Sequence, residues 1–295
     1  MSQNATARVC ASCARRLSRM GAVLAAWALV GFVPVMAELL SGHHIRTLCQ
    51  ISRTLTGPVG RILAWFSIGL FFVSSLVSLV LFGRGAMLSR RLVNGFRLLR
   101  VQVPEAIQQV VTEVGLADRF WLVRYPQRVA LTVGLRRPLV VLSEEVTAGL
   151  SADELRAILL HEKAHLQQRD PLRRILWSSL VSGFRIMPGF AAAADAAQAC
   201  WELQADRYAI EQMGSTDALA DALLKMAAPA PKGFIATPVS AGFADELTLR
   251  AQHLSGGDIE PQLTAAAQAA TDPRYLRWLF FLALISALLP ACLPQ

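Results

Sequence analysis

The longest uncharged stretch of the chain, residues 62–82, restricts its possible folds more than any other feature. It reads ILAWFSIGLFFVSSLVSLVLF and contains no Asp, Glu, Lys or Arg. A helix needs about 20 predominantly apolar residues to cross the ~30 Å hydrocarbon layer of a membrane. An amphipathic surface helix would repeat polar residues along one face, so a buried core helix is the remaining alternative. We therefore predict that residues 62–82 form a transmembrane helix.

Two further apolar stretches are candidates for membrane spans. Residues 21–40 carry one charge, Glu38, and residues 276–293 include Pro290. The chain is 54% hydrophobic and 17% charged, whereas about a quarter of the residues of a soluble protein are charged. A cleaved signal peptide is the alternative for 21–40, but the run is long for one and no clear cleavage site follows it. We predict an integral membrane protein with about three transmembrane helices.

The positive charge of the chain lies beside the predicted spans. The net charge is +8, and arginines cluster before the first span and after the second: Arg8, Arg15, Arg16, Arg19, Arg84, Arg90, Arg91, Arg97 and Arg100. Loops that stay in the cytoplasm retain such residues. We therefore expect a multi-pass protein of the cell inner (plasma) membrane, with the region between the second and third spans facing the cytoplasm. Contact with membrane lipid explains the basic composition, so no direct nucleic-acid partner is expected.

The region between the second and third spans is long enough for one domain. VPEAIQQVVTEVGL (103–116) and AAADAAQACWELQADRYAIEQM (192–213) predict helices, and RFWLVRY, QRVALTVG and RPLVVLS predict a small sheet. Ser151 and Glu154 form a capping-box pattern that opens another helix. The predicted fold class is α+β, mostly α, with a membrane region (1–100), a cytoplasmic domain (101–272) and a C-terminal span (273–295). Residues 175–190 suit a membrane-surface segment and a core helix equally.

The pattern H-E-x-x-H occurs on the helix that follows the capping box, as His161-Glu162-x-x-His165. Positions four residues apart lie on one helix face, so the two imidazoles can aim at a common point. Zinc binds such nitrogens together with a carboxylate and leaves a position for water. Glu162, next to the first histidine, is placed to hold that water without being a ligand. The alternative is a solvated helix face.

Acidic residues further along the chain complete the predicted zinc site. The third ligand should come from another helix that crosses the first. Glu202 in WELQAD, on the helix predicted at 192–213, is the best candidate. Asp206, four residues on, can accept a hydrogen bond from a ligating imidazole and so fix its tautomer. Asp170 precedes Pro171 and is interpreted mainly as a helix N-cap. We expect one Zn²⁺ per chain.

The segments VALTVGLRRPLVVLSEEV, LSADELRAILLHEKAHLQQRDPL and WELQADRYAI resemble the core of the membrane-embedded gluzincin peptidases. The closest pattern is that of the BlaR/MecR-type antirepressor metallopeptidases, and the HtpX and CAAX prenyl protease types are related. The resemblance covers roughly residues 103–255 and the membrane layout. It implies a gluzincin-like zinc peptidase domain, with His161, His165 and Glu202 as zinc ligands, Glu162 as general base and Asp206 as the imidazole's acceptor.

The resemblance also implies where a substrate would bind. The family's Gly-x-x-x-Pro turn matches Gly134 to Pro138, and the preceding strand would be the edge on which a peptide docks. Its residues are Ala130, Leu131, Thr132 and Val133, followed by Gly134. Arg250 resembles an arginine that relatives carry after the third ligand. A lipid-paired or carboxylate-paired arginine is the alternative for Arg250.

These residues together predict a membrane zinc endopeptidase that acts on a protein or peptide substrate. We expect site-specific regulatory proteolysis, with a transcriptional repressor or another regulator as substrate. The alternatives are a quality-control protease of the HtpX type and a zinc-binding scaffold without activity. The intact Glu162 weighs against a scaffold. The sequence leaves the oligomeric state open.

Overall fold

The computed structural model describes residues 46–185 and 190–227. Of these, residues 82–178 and 198–227 belong to one compact unit, and residues 46–81, 179–185 and 190–197 belong to another. The predicted spans at 21–40 and 276–293, the C-terminal part at 273–295 and Arg250 lie outside the described residues.

A single long helix, α1 (Arg46–Leu98), contains the predicted span at 62–82. Across the described ranges, Gly69–Leu98 is the one helical stretch that is long and apolar enough to cross a membrane. Large apolar side chains on this stretch are exposed, among them Leu76 at 62% and Leu79 at 67%. Burial of apolar surface is worth about 25 cal/mol per Å². These side chains therefore favour contact with lipid over contact with water.

Three short strands form a mixed sheet in the order β1-β3-β2. They are β1 (Phe120–Val123), β2 (Ala130–Val133) and β3 (Leu139–Ser143). β3 pairs parallel to β1 and antiparallel to β2. Residues 99–101 extend the sheet beside β1, since Val101 N–H donates to the Leu122 carbonyl at 2.9 Å. In the described part of the chain, β2 is thus the edge strand without a further strand beside it.

The sheet is buried on both faces. One face, which includes Val140 and Leu142, packs with Val111 of helix α2 (Glu105–Val114) and Leu159 of helix α4 (Ala152–Gln168). The other face, which includes Val133 and Val141, packs against Phe96 at the end of α1. The alternation along β2 and β3 gives each face its own apolar set. The prediction of a mostly helical α+β fold with a small sheet is confirmed.

Helix α4 begins at the predicted capping box. The Ser151 hydroxyl accepts from Glu154 N–H at 3.3 Å, and the Glu154 carboxylate accepts from Ser151 N–H at 2.7 Å. The helix ends at Arg169, whose φ of 55° is left-handed. A residue with a side chain pays about 1 kcal/mol or more in this conformation. The next residue, Asp170, starts helix α5 at once, so only one residue separates the two helices.

The remaining helices are α3 (Glu144–Thr147), α5 (Asp170–Gly183), α6 (Phe190–Met213) and α7 (Asp217–Ala227), with a 3₁₀ turn at Ala117–Arg119. Lys225 of α7 donates to both carboxylate oxygens of Glu154, at 2.7 and 2.8 Å. This pair fixes the C-terminal end of α7 to the first turn of α4.

In the other compact unit, the last turn of α5 packs closely on α1. A Cβ added at Gly183 would lie 1.9 Å from the Ser78 hydroxyl oxygen and 2.6 Å from the Ser74 carbonyl oxygen. The ring centroids of Phe71 and Phe184 are 5.8 Å apart. Small residues permit such close approach of two helix backbones. The described part of 175–190 is thus a helix that is packed at its end.

Candidate metal centre

His161 and His165 face each other on α4. Their Nε2 atoms are 3.0 Å apart, and their ring centroids are separated by 4.7 Å with an interplanar angle of 82°. Each residue is only 6% exposed. The spacing of four residues places both rings on one face of the helix. Two ring nitrogens therefore converge on one buried point.

Glu202 reaches the same point from α6. Its Oε2 lies 3.4 Å from His161 Nε2, and its Oε1 lies 3.4 Å from His165 Nε2. One potential ligand atom from each of the three residues falls within 4.8 Å of the others. Ligands at about 2.1 Å from a tetrahedral ion are about 3.4 Å from one another. The three side chains thus have the spacing and the donor types of a metal site.

The other ring nitrogens contact carboxylates. His161 Nδ1 lies 2.9 Å from Asp206 Oδ1, and His165 Nδ1 lies 2.6 Å from Asp170 Oδ2. A carboxylate accepts a hydrogen bond, so each Nδ1 carries a proton and each Nε2 is the nitrogen that can bind a metal once its own proton is lost. This arrangement orients both rings for metal binding, as carboxylate partners of ligating histidines usually do.

Asp170 is the residue that sequence reasoning assigned mainly to helix capping. Its side chain is almost fully buried, at 1% exposed for the residue, and it also accepts from Arg173 at 2.8 Å. The left-handed Arg169 turns the chain so that the first residue of α5 comes back to His165. The Asp-Pro pair after a helix was a signal for the break between helices. It did not by itself indicate which side chain the aspartate would meet.

Two arginines of α5 complete the surroundings and were not singled out from the sequence. Arg174 donates a hydrogen bond to Oε1 of Glu202. Arg173 joins Asp170 to α6, because its guanidinium also lies 4.2 Å from the centroid of the Trp201 ring. Such a cation–π contact stabilises by about 0.5–2 kcal/mol. The two arginines thus bring positive charge next to the buried carboxylates of Asp170 and Glu202.

The pKa values of the site follow from this crowding. Burial alone would lower the pKa of His165, but its hydrogen bonds to Asp170 and Glu202 and the charges of Glu202 and Glu162 outweigh it and raise the pKa to about 10. Burial would likewise raise the pKa of Glu202. Hydrogen bonds from His161 and His165, together with their charges, hold it well below its usual value instead. A cation is strongly favoured among these groups.

Glu162 lies beside the histidines and contacts β2. The hydroxyl of Thr132 is 2.8 Å from its Oε2 and 3.1 Å from its backbone oxygen. Glu162 is buried, at 6% exposed. The charge of its carboxylate acts on His165. The structure thus places an ionisable carboxylate next to the group of three potential ligands.

The residues expected to bind substrate lie along the open edge of the sheet. Ser143 N–H donates to the Val129 carbonyl at 2.9 Å, which sets the alternation of the β2–β3 ladder. The main-chain groups of Ala130 and Thr132 therefore point away from β3. The side chains of Leu131 and Val133 point to the sheet face that packs against Phe96, and Glu162 lies on the other face.

Gly134 ends the edge strand with a φ of 96°. A Cβ at this position would lie 2.9 Å from the Arg137 carbonyl oxygen. The turn from Gly134 to Pro138 therefore requires glycine at its first position.

The chain was compared with protein-family models, with curated proteins and with solved structures. The family model described as BlaR1 peptidase M56 matches residues 61–254, which include much of α1 as well as the metal centre. No curated protein and no solved structure gives a significant match to the chain.

Proposed function

Because the chain belongs to the BlaR1 peptidase M56 family, it is a peptidase, and we propose that it hydrolyses peptide bonds of protein substrates with a zinc ion held by His161, His165 and Glu202. The observation that carries the proposal is the convergence of these three side chains at mutual distances of 3.0–3.4 Å. Two imidazole nitrogens and one carboxylate are a ligand set that zinc uses in hydrolytic enzymes, with one position left for water.

A zinc ion bound here would lower the pKa of a coordinated water towards about 7 and polarise the substrate carbonyl. The protein side chains supply orientation and proton transfer. Asp170 and Asp206 hold His165 and His161 through their Nδ1 atoms. Glu162 is the general base: its carboxylate accepts the proton of the attacking water and then donates it to the leaving amine. Arg250 remains a candidate for stabilising the negative charge that develops on the carbonyl oxygen.

The edge strand β2 is the proposed substrate-binding segment. The outward main-chain groups of Ala130 and Thr132 can pair with an extended peptide, as edge strands do in peptide recognition. The hydroxyl contact from Thr132 to Glu162 supports this assignment, because it places the docked chain next to the general base. Gly134 then turns the protein chain away at the end of the strand.

We infer a membrane location with the peptidase site facing the cytoplasm. The exposed apolar stretch Gly69–Leu98 supports a span. Arg84, Arg90, Arg91 and Arg97 follow the uncharged segment 62–82 and are exposed, which agrees with the bias of cytoplasmic loops towards arginine. Cleavage of a regulator, such as a transcriptional repressor, is proposed from the resemblance to the BlaR/MecR-type antirepressor peptidases.

The test compares new protein N-termini in cells that express the wild type, Glu162→Gln or Glu202→Ala. Glu162→Gln should keep zinc and abolish cleavage, whereas Glu202→Ala should lose both. Glu145→Gln is the matched control, because Glu145 is exposed in the helix that follows β3 and is not among the proposed ligands or the substrate-binding residues. A variant Glu162→Gln that cleaves as fast as the wild type would rule out the mechanism.

The pattern of cleaved proteins separates the remaining readings. A few Glu162-dependent sites in one cytoplasmic regulator would support regulatory proteolysis. Many sites in misfolded membrane proteins would move the assignment to quality control. No difference between wild type and Glu162→Gln, at rest and under stress, would leave a zinc-binding scaffold.

A further inference from the structure

We propose that the hydroxyl of Thr132 positions the carboxylate of Glu162, so that one residue of the edge strand both binds the substrate backbone and orients the general base. The inference rests on the proposed peptidase function and adds a role for a side chain. The hydroxyl oxygen is 2.8 Å from Glu162 Oε2, a distance typical of a hydrogen bond to a carboxylate. Thr132 is therefore a positioning residue, which acts through Glu162.

The geometry assigns the hydroxyl proton to the carboxylate. Thr132 has one proton to donate, and its hydroxyl oxygen lies 3.1 Å from the backbone oxygen of Glu162 as well. That backbone oxygen lies within α4, where it accepts from the N–H four residues later, of Leu166. The carboxylate has no such partner in the helix. The Thr132 hydroxyl therefore donates its hydrogen bond to Oε2, the closer of the two oxygens.

The orientation of the Glu162 carboxylate depends on its hydrogen bond from Thr132. Among the residues that the structure describes, the Thr132 hydroxyl is the one hydrogen-bond donor to its carboxylate. The residue is only 6% exposed, so bulk water has little access to it. A buried carboxylate with a single donor takes its orientation from that donor. Removal of the hydroxyl would leave the side chain free to rotate away from its catalytic position.

The same residue belongs to the docking edge. Thr132 is opposite Val140 in the antiparallel ladder, at a position where the main-chain N–H and C=O point outward. Its side chain points instead to the sheet face that α4 covers. A peptide that pairs with the Thr132 backbone therefore lies in a fixed register relative to Glu162. Loss of the hydroxyl should disturb the orientation of the base while the docking edge stays intact.

The experiment replaces Thr132 by Val, which has the same shape without the hydroxyl, and by Ser, which keeps the hydroxyl. Purified full-length protein in detergent is assayed with fluorescein-labelled casein over a range of concentrations, and its zinc content is measured. Thr132→Val should lower kcat roughly ten- to a hundredfold, the range expected for one hydrogen bond to a charged group. KM and zinc content should stay unchanged, and Thr132→Ser should recover most of kcat.

Thr112→Val is the matched control, because Thr112 is exposed and its hydroxyl bonds to the backbone of its own helix, at Gln108. It should behave as the wild type. The proposal is overturned if Thr132→Val keeps more than half of the wild-type kcat, if it changes KM alone, or if Thr132→Ser is no better than Thr132→Val.

A second measurement does not depend on peptidase activity. The thermal unfolding midpoint is compared for wild type, Thr132→Val, Glu162→Leu and the double variant. If the two side chains are hydrogen-bonded, the double variant loses less than the sum of the single losses. Strict additivity would overturn the inference. If the wild type does not cleave casein, the comparison of protein N-termini in cells decides the peptidase proposal, and this cycle still decides the contact between Thr132 and Glu162.

Discussion

The carboxylate of Asp170 lies 2.6 Å from Nδ1 of His165 across a helix break of one residue. The pair is buried, and Arg173 binds the second oxygen of the carboxylate. The aspartate thus fixes the tautomer and the ring plane of a proposed zinc ligand. Asp206 does the same for His161 from a different helix. Each histidine of the site has its own carboxylate partner.

Asp170→Asn should lower zinc affinity roughly ten- to a hundredfold, as loss of the partner of a ligating histidine typically does. The amide keeps the size of the side chain but removes its negative charge, so the imidazole becomes a weaker ligand. Competition with a fluorescent chelator measures the affinity. Asp153→Asn is the control, because Asp153 is exposed in the first turn of α4. Equal affinities for the two variants would contradict the role of Asp170.

Arg174→Met should have the opposite effect and tighten zinc binding. Arg174 holds Oε1 of Glu202, so its positive charge repels a cation at the site and competes for the ligand oxygen. We expect roughly three- to tenfold tighter binding, given the size of charge interactions at such distances. The same chelator assay applies, with Arg156→Met as control, because Arg156 pairs with Glu113 and Asp153 and not with a proposed ligand. Weaker binding would mean that Arg174 orients Glu202 for the metal.

The pKa of His165, about 10 against an ordinary 6.5, predicts opposite pH responses with and without metal. In metal-free protein the raised pKa stabilises the folded state fully below pH 6.5, and this contribution is lost as the pH rises towards about 10. Zinc must displace the proton on Nε2 of His165. The affinity of the site for zinc should therefore rise over the same pH range, by up to about tenfold per pH unit.

Unfolding midpoints with EDTA and with zinc, between pH 6.5 and 8.5, check this response. The difference between the two midpoints should grow with pH in the wild type and grow less in Asp170→Asn, which lacks the carboxylate that contributes most to the raised pKa of His165. A difference that shrinks as the pH rises would contradict the prediction.

Gly183→Ala should destabilise the protein. The added Cβ would fall 1.9 Å from the Ser78 hydroxyl oxygen and 2.6 Å from the Ser74 carbonyl oxygen, so helix α5 would have to move away from α1. Gly95→Ala in α1 is the matched control, since its Cβ meets nothing within 4 Å. That change should stabilise its helix by up to about 1 kcal/mol. Unfolding midpoints in detergent compare them, and equal midpoints would refute the close packing.

Local patterns in the sequence were sufficient for much of the fold. The capping box at Ser151 and Glu154 and the three strands are present, and the resemblance to BlaR/MecR-type peptidases is confirmed by the family model. These features depend on residues a few positions apart. The spacing of His161 and His165 is of the same kind, because helix geometry alone brings the two rings together.

The contacts that sequence reasoning missed join elements far apart in the chain or cross a helix break. Thr132 and Glu162 are on a strand and a helix, and their contact depends on how α4 covers the sheet. Arg174 meets Glu202 only because α5 packs beside α6. Asp170 was interpreted by its position before Pro171, whereas the left-handed turn at Arg169 decides its partner. Such packing angles have no signature in a short stretch of sequence.

The candidate metal centre consists of side chains from three helices: α4 supplies the histidines, α5 supplies Asp170, and α6 supplies Glu202 and Asp206. An ion at this point would act as a cross-link, and its loss would leave buried carboxylates that repel one another. Protein that opens more often is degraded faster in the cell. Scarcity of metal would therefore reduce the number of peptidase molecules as well as the turnover of each one, so the supply of the ion would set the lifetime of the enzyme.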